Sequence, residues 1–485
     1  MSSASLDFGR GNYSRRRIHL AICGGGIGGL SLAVVLGKRC DDIRIDLYEA
    51  LPQLTEIGAG ISVWKRTWFI MQELGLDETL GKMAVQPPVD ELRPGFCFRK
   101  SDQETEGFNF ARMIVPYGSI TLHRADMLKV LTDNLPPPSM FRAHFNKRLV
   151  SYTTRGDSVI LHFSDGTSAE ADILAGADGI KSATRATMYS VLADKTEDEE
   201  RKKQLRSHIQ SSWSGTYAYR GLVESESLLR KSPGHQAATT PMIYFGKNKH
   251  VVSYPISEGR VVNLVPFVTV PGADGEELDG PAVVDVSKQE MLDQYKGWEP
   301  EVLNLLACCE KVSRWAISQV RGLPTYADGP VVILGDAAHA MTTHIGAGAS
   351  QAIEAHAMTT HIGAGASQAI EDSYILGKLL ASPGVTKQNL VSVLKIYDAI
   401  RRPFGNHVVE RSRMTGLLYE FNELPEDIDE WRARAGSDIE LGKLTREIYK
   451  KWEIQWSALP NVEWREAERM LREQSILTGS HKAKL

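Results

Sequence analysis

At 485 residues the chain is too long for one ordinary core, so two or three domains are expected. Its composition, 42% hydrophobic and 24% charged with a net charge of -4, is that of a soluble globular protein and gives no reason to expect a nucleic-acid partner. The five cysteines (Cys23, Cys40, Cys97, Cys308, Cys309) show neither metal spacing nor a paired framework, which fits a reducing compartment.

The N-terminal stretch carries Arg10, Arg15, Arg16 and Arg17 without an apolar signal core. It reads as a tail ahead of the first strand, with a mitochondrial signal as the rival reading. The apolar run Ile18–Cys23 suits a buried parallel strand. Gly24-Gly25-Gly26-Ile27-Gly28-Gly29 follows at once and contains G-x-G-x-x-G. A helical pattern over Leu30–Leu36 comes next, then a second strand with Ile43, Ile45 and Leu47 alternating, which ends at Glu49. Strand, glycine turn, helix, strand and acid form the dinucleotide fingerprint in its required context. Gly24, Gly26 and Gly29 let the backbone approach a pyrophosphate at the helix N-terminus, and Glu49 would accept from ribose hydroxyls. The motif does not choose between NAD and FAD. It argues against NADPH at this position, because Glu49 would repel a 2′-phosphate. The most apolar window, near Ile22–Leu36, is broken by five glycines and is too short to span a bilayer.

Three further stretches narrow the choice. They are Leu122-His123-Arg124-Ala125-Asp126, Asp172–Arg185 with Asp178-Gly179 at its centre, and Val331–His339 with Gly335-Asp336 after an apolar strand. With the glycine motif they resemble the single-component FAD-dependent aromatic hydroxylases, and in particular the fungal salicylate hydroxylase-like monooxygenases. The resemblance covers most of the chain, with four separated motifs in the family's order. It implies a p-hydroxybenzoate hydroxylase-like α/β fold. A Rossmann-like FAD-binding domain would comprise 15–213 and 321–400, a mainly antiparallel substrate domain 214–320, and a C-terminal helical segment 401–485. Part of 87–115 would join the substrate sheet. It assigns Arg124 to the FAD pyrophosphate or ribityl region and Asp336 to the ribityl hydroxyls. Asp178, Gly179 and Arg185 would touch FAD and the passing NADPH or NADH, and Gly60 belongs to a loop near the flavin. Gly346, Gly348 and Ala349 would open a helix whose dipole stabilises the reduced ring. Each has a structural alternative: Arg124 pairing with Asp126, Asp178-Gly179 as a turn, Asp336 as a helix cap.

From about 214 to 270 short alternating apolar runs separated by Gly, Pro, Asn and Ser read as an antiparallel sheet. Arg220 stands inside one of them and needs a reason to be there. It either holds a substrate carboxylate or phenolate, as related hydroxylases imply, or pairs with Glu224 or Glu226. Tyr254, and less so Tyr244, are candidates for contacting a substrate oxygen. Ser287-Lys288-Gln289-Glu290 is a capping box that opens a helical pair. The C-terminal part, with Trp431, Trp452, Trp456 and Trp464 among many charges, reads as amphipathic helices packed on the flavin domain.

Ala338–Glu354, AHAMTTHIGAGASQAIE, is repeated without change as Ala355–Glu371. One flavin can accept only one copy. The first keeps the spacing to Asp336 and the second keeps the spacing to Asp372-Ser373. Lengthening a loop is cheaper than breaking a helix, so the surplus should leave beside His344–Gly348 or its copy. The repeated histidines (His339, His344, His356, His361) lack a completing ligand set, and no metal is expected. A DNA duplication or a misplaced exon boundary accounts for the letters. Thr343 replaces the family's proline ahead of His-x-Gly-Ala-Gly, which bears on how well reduction couples to hydroxylation.

The resemblance implies an FAD-dependent monooxygenase that consumes NADPH or NADH and hydroxylates a phenolic or aromatic acid through a flavin C4a-hydroperoxide, with or without decarboxylation. The alternatives are epoxidation or rearrangement of a polyketide- or terpenoid-derived ring, and an FAD-binding protein impaired by the duplication at 338–371. The expected partners are a small aromatic substrate and molecular oxygen, with no transmembrane segment, in a monomer or homodimer. The cytoplasm is expected. Ala483-Lys484-Leu485 resembles the peroxisomal tail S-K-L and makes the peroxisome the alternative.

Overall fold

The computed structural model describes residues 17–54, 60–84, 89–116, 120–344, 364–422, 438–474 and 476. Two large sheets dominate. The first has six strands in the order β18 (Ala327–Asp328), β19 (Val331–Ile333), β11 (Ile173–Gly176), β1 (Ile18–Cys23), β2 (Ile43–Tyr48) and β7 (Phe141–His144). All its pairings are parallel except β18 on β19. Its strands are near-continuous apolar runs because both faces are covered. A three-stranded meander, β8 (Leu149–Arg155), β9 (Ser158–Phe163) and β10 (Ser168–Ala171), and a pair, β3 (Gly60–Val63) with β6 (Ile120–His123), accompany it.

The second large sheet has eight strands. Their order is β16 (Val283–Val286), β17 (Val312–Gln319), β12 (Ser212–Glu224), β15 (Val261–Thr269), β14 (Lys249–Ile256), β13 (Met242–Gly246), β4 (Leu92–Lys100) and β5 (Phe108–Pro116). Every pairing in it is antiparallel except β4 with β13.

In chain order the helices are α1 (Ile27–Arg39), α2 (Lys65–Glu73), α3 (Asp77–Met83), α4 (Arg124–Asp133), α5 (Ala183–Asp194), α6 (Glu199–Ser207), α7 (Ser225–Lys231), α8 (Lys288–Gln294), α9 (Pro300–Ala307), α10 (Asp336–His339), α11 (Ala364–Ala381), α12 (Leu390–Tyr419), α13 (Asp438–Trp452) and α14 (Pro460–Glu473). Helix α1 buries nine of its residues and packs on α11. At their contact a Cβ on Gly377 would lie 2.5 Å from Val35 Cγ1, so the two backbones approach closely.

One face of the eight-stranded sheet is closed by α7, α8 and α9 over Met242, Tyr244, Val251 and Leu264. The opposite face, with Phe98, Ile243 and Phe245, meets α12 and α13 at Val408, Val409, Leu441 and Trp452.

Several expectations need correction. The boundary at 400–401 falls inside α12, one uninterrupted helix, and the boundary at 213–214 falls just inside β12. Amphipathic patterning marks a helix face but not its partner. Helix α14 does pack on α2, α11 and α12, whereas α13 packs on β5 of the substrate sheet and on α12. Trp431 and Ala483-Lys484-Leu485 lie outside the described residues. Among the described residues no helix is long and apolar enough to cross a membrane.

Candidate active site

The site begins at the end of β1. Gly24 has φ +106°, and a Cβ there would lie 2.2 Å from the Ala177 carbonyl oxygen, so only glycine fits the turn. Gly26 then caps α1 without any side-chain hydrogen bond. The positive end of the helix dipole is thereby left without a side-chain cap. A Cβ on Gly29 would meet the Gly24 carbonyl at 2.0 Å, which seats the first turn of α1 on its own loop. Glu49 reaches across from the end of β2. Its Oε2 accepts from the Gly25 N–H at 2.7 Å and its Oε1 from the Leu51 N–H at 2.8 Å. The acid is therefore held beside the glycine turn.

Pairing of β3 with β6 sets Gly60 opposite His123, so Gly60 and Arg124 are brought together from separate stretches of chain. Asp178 closes its own turn: Oδ1 accepts from Ser182 Oγ at 2.5 Å, and Oδ2 from Thr184 N at 2.9 Å and Thr184 Oγ1 at 3.0 Å. Its contribution is thus the shape of the turn, in which Gly179 takes φ +75°. Arg185 is 1% exposed and is not presented to a ligand. Its guanidinium donates to the carbonyls of His208, Ala337 and Ile180 at 3.2, 3.0 and 2.6 Å. It ties the Asp178 turn to the segment that follows Asp336. Asp336 itself is partly exposed at the start of α10, after the apolar strand β19 and Gly335 at φ +61°.

The repeat is shared between its copies. The first copy is described from Ala338 to His344, and the second from Ala364 to Glu371. Helix α11, expected to open at Ala349, is built instead from the second copy and opens at Ala364. Gly346, Gly348 and Ala349 lie outside the described residues, and Gly365 and Ala366 occupy the places of Gly348 and Ala349. Two identical stretches offer no letter by which sequence alone could choose.

What anchors the second copy is Asp372, the first residue after the repeat. Its Oδ2 accepts from the Gly335 N–H at 2.9 Å and lies 2.6 Å from His339 Nε2, while Oδ1 accepts from Arg401 Nε at 2.7 Å. Burial works to raise the Asp372 pKa, but His339 and Arg401 prevail and hold it at about 2. The network continues through Glu371, which accepts from Arg66 Nε at 3.2 Å and Nη2 at 2.9 Å, to Glu463 of α14, which pairs with Arg66 and Arg401. Sequence reasoning named Asp372 only as the residue that follows the repeat and did not single out Arg401, Arg66 or Glu463.

The substrate side is a face of the eight-stranded sheet. On β12, Arg220 and Ala218 point the same way, and Ala218 packs with Val265, Phe267, Trp315 and Ile317. Val252 joins this cluster to the one that contains Met341, so the face looks toward the chain that follows Asp336. Arg220 is 8% exposed and lies over the Trp315 ring at 5.0 Å. Its Nε and Nη1 find no hydrogen-bond partner among the described residues. Neither alternative partner takes it, since Glu226 pairs with Arg230 and no described ion pair joins Arg220 to Glu224. Burial lowers its pKa to about 10, with Tyr254 close enough to oppose the shift. Tyr254 also meets Phe96 edge-on at 6.4 Å.

Tyr244 is turned to the other face and donates to Glu301 at 3.3 Å, so it is not part of this constellation. Unforeseen in the sequence, Trp64 buries an indole N–H without a partner among the described residues, against Trp452 and Trp456. Thr343, in the proline position, buries its hydroxyl in the same unpartnered way.

Comparison with known proteins agrees with this arrangement. Residues 17–258 match the family model described as "FAD binding domain". The chain is 35% identical over 418 residues to the FAD-dependent monooxygenase str9 of Strobilurus tenacellus, covering 83% of this chain and 89% of that protein. It is 34% identical over 420 residues to a salicylate hydroxylase of Pseudomonas putida, covering 85% and 88%. A solved salicylate hydroxylase substrate complex superposes with a TM-score of 0.75 at 28% identity, covering 94% of this chain and 98% of that one.

Proposed function

The chain belongs to the FAD-dependent monooxygenases of the salicylate hydroxylase-like group, and we propose that it hydroxylates a small aromatic substrate whose anionic oxygen is held by Arg220. The residues present fit FAD: an uncapped α1 N-terminus, a glycine turn that admits no Cβ, and Glu49 beside it. Bound FAD, reduced by NADH or NADPH, supplies the electrons and the activation of dioxygen; the chain supplies position and dryness.

The observation that carries the substrate reading is Arg220. A buried guanidinium with two unpartnered nitrogens is expensive to keep in an empty fold. An anion bound there repays that desolvation and fixes the ring's orientation. Trp315 lies beneath Arg220, and Phe96, edge-on to Tyr254, adds a second aromatic wall. These walls exclude water, which would otherwise divert reducing equivalents to hydrogen peroxide. Tyr254 lies within electrostatic reach of Arg220 and is the candidate for a second contact to the substrate oxygen. Arg124 and Asp336 would hold the cofactor, and α11 would set its N-terminal dipole against it.

The test is NADH and NADPH oxidation over a panel of hydroxybenzoates and polyketide phenols, with the products identified and flavin content measured beforehand. A yellow protein whose NAD(P)H oxidation is stimulated by an anionic phenol and yields its hydroxylated product supports the reading. Turnover of a non-aromatic ring alone sinks the aromatic assignment. A protein that carries flavin and is never reduced points to impairment by the repeat.

A further inference from the structure

Helix α10 has four residues, and the stretch from there to His344 forms no further helix or strand. A single helical turn cannot fix its own position, so what places this stretch comes from elsewhere in the chain. At its near end Gly335 takes φ +61°, and its N–H donates to Asp372 Oδ2 at 2.9 Å. Arg401 of α12 is fully buried and donates from Nε to the other carboxylate oxygen at 2.7 Å. Its Nη2 donates to Gln368 Oε1 at 2.9 Å, and its Nη1 pairs with Glu463 of α14. Glu463 also pairs with Arg66 of α2, whose Nη1 donates to the Ala458 carbonyl just before α14. Glu463 thus orients the guanidinium that orients Asp372.

At the far end the His344 carbonyl accepts from the hydroxyl of Tyr419, the last residue of α12, at 3.1 Å. That hydroxyl accepts in turn from Nε1 of Trp452, the last residue of α13, at 2.9 Å. All three residues are buried. The phenol both donates and accepts, so its orientation is fixed. Glu420 comes next and is 1% exposed. Its Oε1 accepts from Thr269 Oγ1 at 3.0 Å and lies 3.0 Å from His250 Nδ1, which seats this end of α12 on the eight-stranded sheet. Between the two ends, Thr342 Oγ1 donates to Ser412 Oγ of α12 at 3.0 Å, and Ser412 Oγ donates back to the Thr342 carbonyl.

We propose that Glu463 and Trp452 are positioning residues for the flavin: α14 and α13 hold the two ends of the segment from Gly335 to His344, and through it the placement of Asp336 toward the cofactor. The inference rests on this segment holding FAD and on no assumption about the substrate. Glu463 acts through Arg401 and Asp372, and Trp452 acts through the Tyr419 hydroxyl. The ties are buried, so removing one partner leaves a polar group short of a hydrogen bond where water cannot replace it. Two helices remote in sequence from the glycine turn thereby belong to the cofactor site.

The experiment titrates FAD into full-chain apoprotein, followed by flavin fluorescence, and records the visible circular dichroism of the bound flavin. Glu463→Gln keeps the shape and an acceptor but not the charge, and Trp452→Phe keeps an aromatic ring but not the N–H. Each is expected to weaken FAD binding roughly tenfold and to change the visible band. Glu463→Asp retains the charge and should stay nearer wild type. Glu463→Gln combined with Asp372→Asn should lose little more than the larger single loss; losses that multiply would overturn the route through Asp372. Leu471→Ala, at a buried apolar position of α14, controls for packing alone. It should lower the unfolding midpoint of the apoprotein and leave FAD affinity and the visible band unchanged. Wild-type affinity and band in Glu463→Gln and Trp452→Phe, or an equal effect from Leu471→Ala, overturns the positioning role and leaves the FAD assignment standing. Failure of wild type to bind FAD overturns that assignment and the positioning role with it.

Discussion

Asp372 accepts a hydrogen bond from the Gly335 N–H at 2.9 Å, joining the first residue after the repeat to a residue three positions before it. The two ends of a doubled segment are thereby fixed to each other. The N-terminal end is fixed by the chain itself, because Asp336 leads directly into the first copy. The C-terminal end is fixed by Asp372, because the first copy is followed by Ala355, which has no carboxylate. Asp372→Ala should destabilise the fold by about 3–5 kcal/mol, since it leaves the buried Arg401 short of a partner. Asp372→Asn, which keeps acceptor and shape, should lie between. Thermal unfolding of the flavin-loaded proteins measures both, and an unchanged midpoint for the alanine variant would refute the anchoring role.

Removing Ala355–Glu371 restores one segment between Asp336 and Asp372. Loop entropy contributes only about 0.6 kcal/mol per doubling of length, so the stability gain from shortening alone should be small. A larger gain should come from ending the competition between two identical docking segments. Flavin content and product formed per NAD(P)H consumed are both expected to rise. Equal coupling and equal stability in the full chain would mean that the second copy is an accommodated insertion.

Asp336→Ala should weaken FAD retention roughly 10- to 100-fold, the value of a hydrogen bond to a charged group. Dialysis against apoprotein conditions followed by absorbance gives the occupancy. Full occupancy in the variant would remove Asp336 from the list of cofactor ligands.

Arg220→Met separates function from structure. If Arg220 exists for a substrate anion, the variant should bind benzoate roughly 10- to 100-fold more weakly. Its stability without ligand should match or exceed wild type, because a buried unpartnered charge has been replaced by an apolar side chain. A loss of several kcal/mol without ligand would show instead that the arginine is structural.

The buried group around Glu420 makes opposed contributions to stability. The folded pKa of Glu420, about 7, lies above the unfolded value of about 4.3. Its contribution is present below that unfolded value and is lost as pH rises through 7. His250 and His344, at about 3 when folded, lie below the unfolded value of about 6.5. Their contribution is present above 6.5 and is lost as pH falls toward 3. The two trends offset each other in wild type between about pH 4.5 and 6.5. Glu420→Gln removes the first, so its stability relative to wild type should improve by about 2 kcal/mol between pH 5 and pH 8. A difference that does not change with pH would mean that Glu420 does not titrate in this range.

The parts of the site legible in the sequence are those made by short stretches of chain. The turn of Gly24, Gly26 and Gly29 with Glu49 was legible because strand, turn and helix follow one another. Arg220 was legible because a charge inside an apolar strand pattern demands a partner. The Arg66–Glu371 pair spans 305 positions and involves charges that are unremarkable in their own helices, so no local pattern marks it. Glu420 escaped notice for the same reason: a glutamate at a helix end reads as solvated until the turn after β15 is folded over it. The start of α11 was misplaced because two identical copies hold no local information about which one docks. That information resides in Asp372, one letter beyond the repeat.

The most direct test is turnover under isotopically labelled dioxygen with an anionic phenol and NAD(P)H. We expect one labelled oxygen atom in each hydroxylated product, in wild type but not in Arg220→Met at the same substrate concentration. Consumption of NAD(P)H with unlabelled product, or with hydrogen peroxide as the only oxygen product across the panel, would contradict the assignment of this chain as an aromatic hydroxylase.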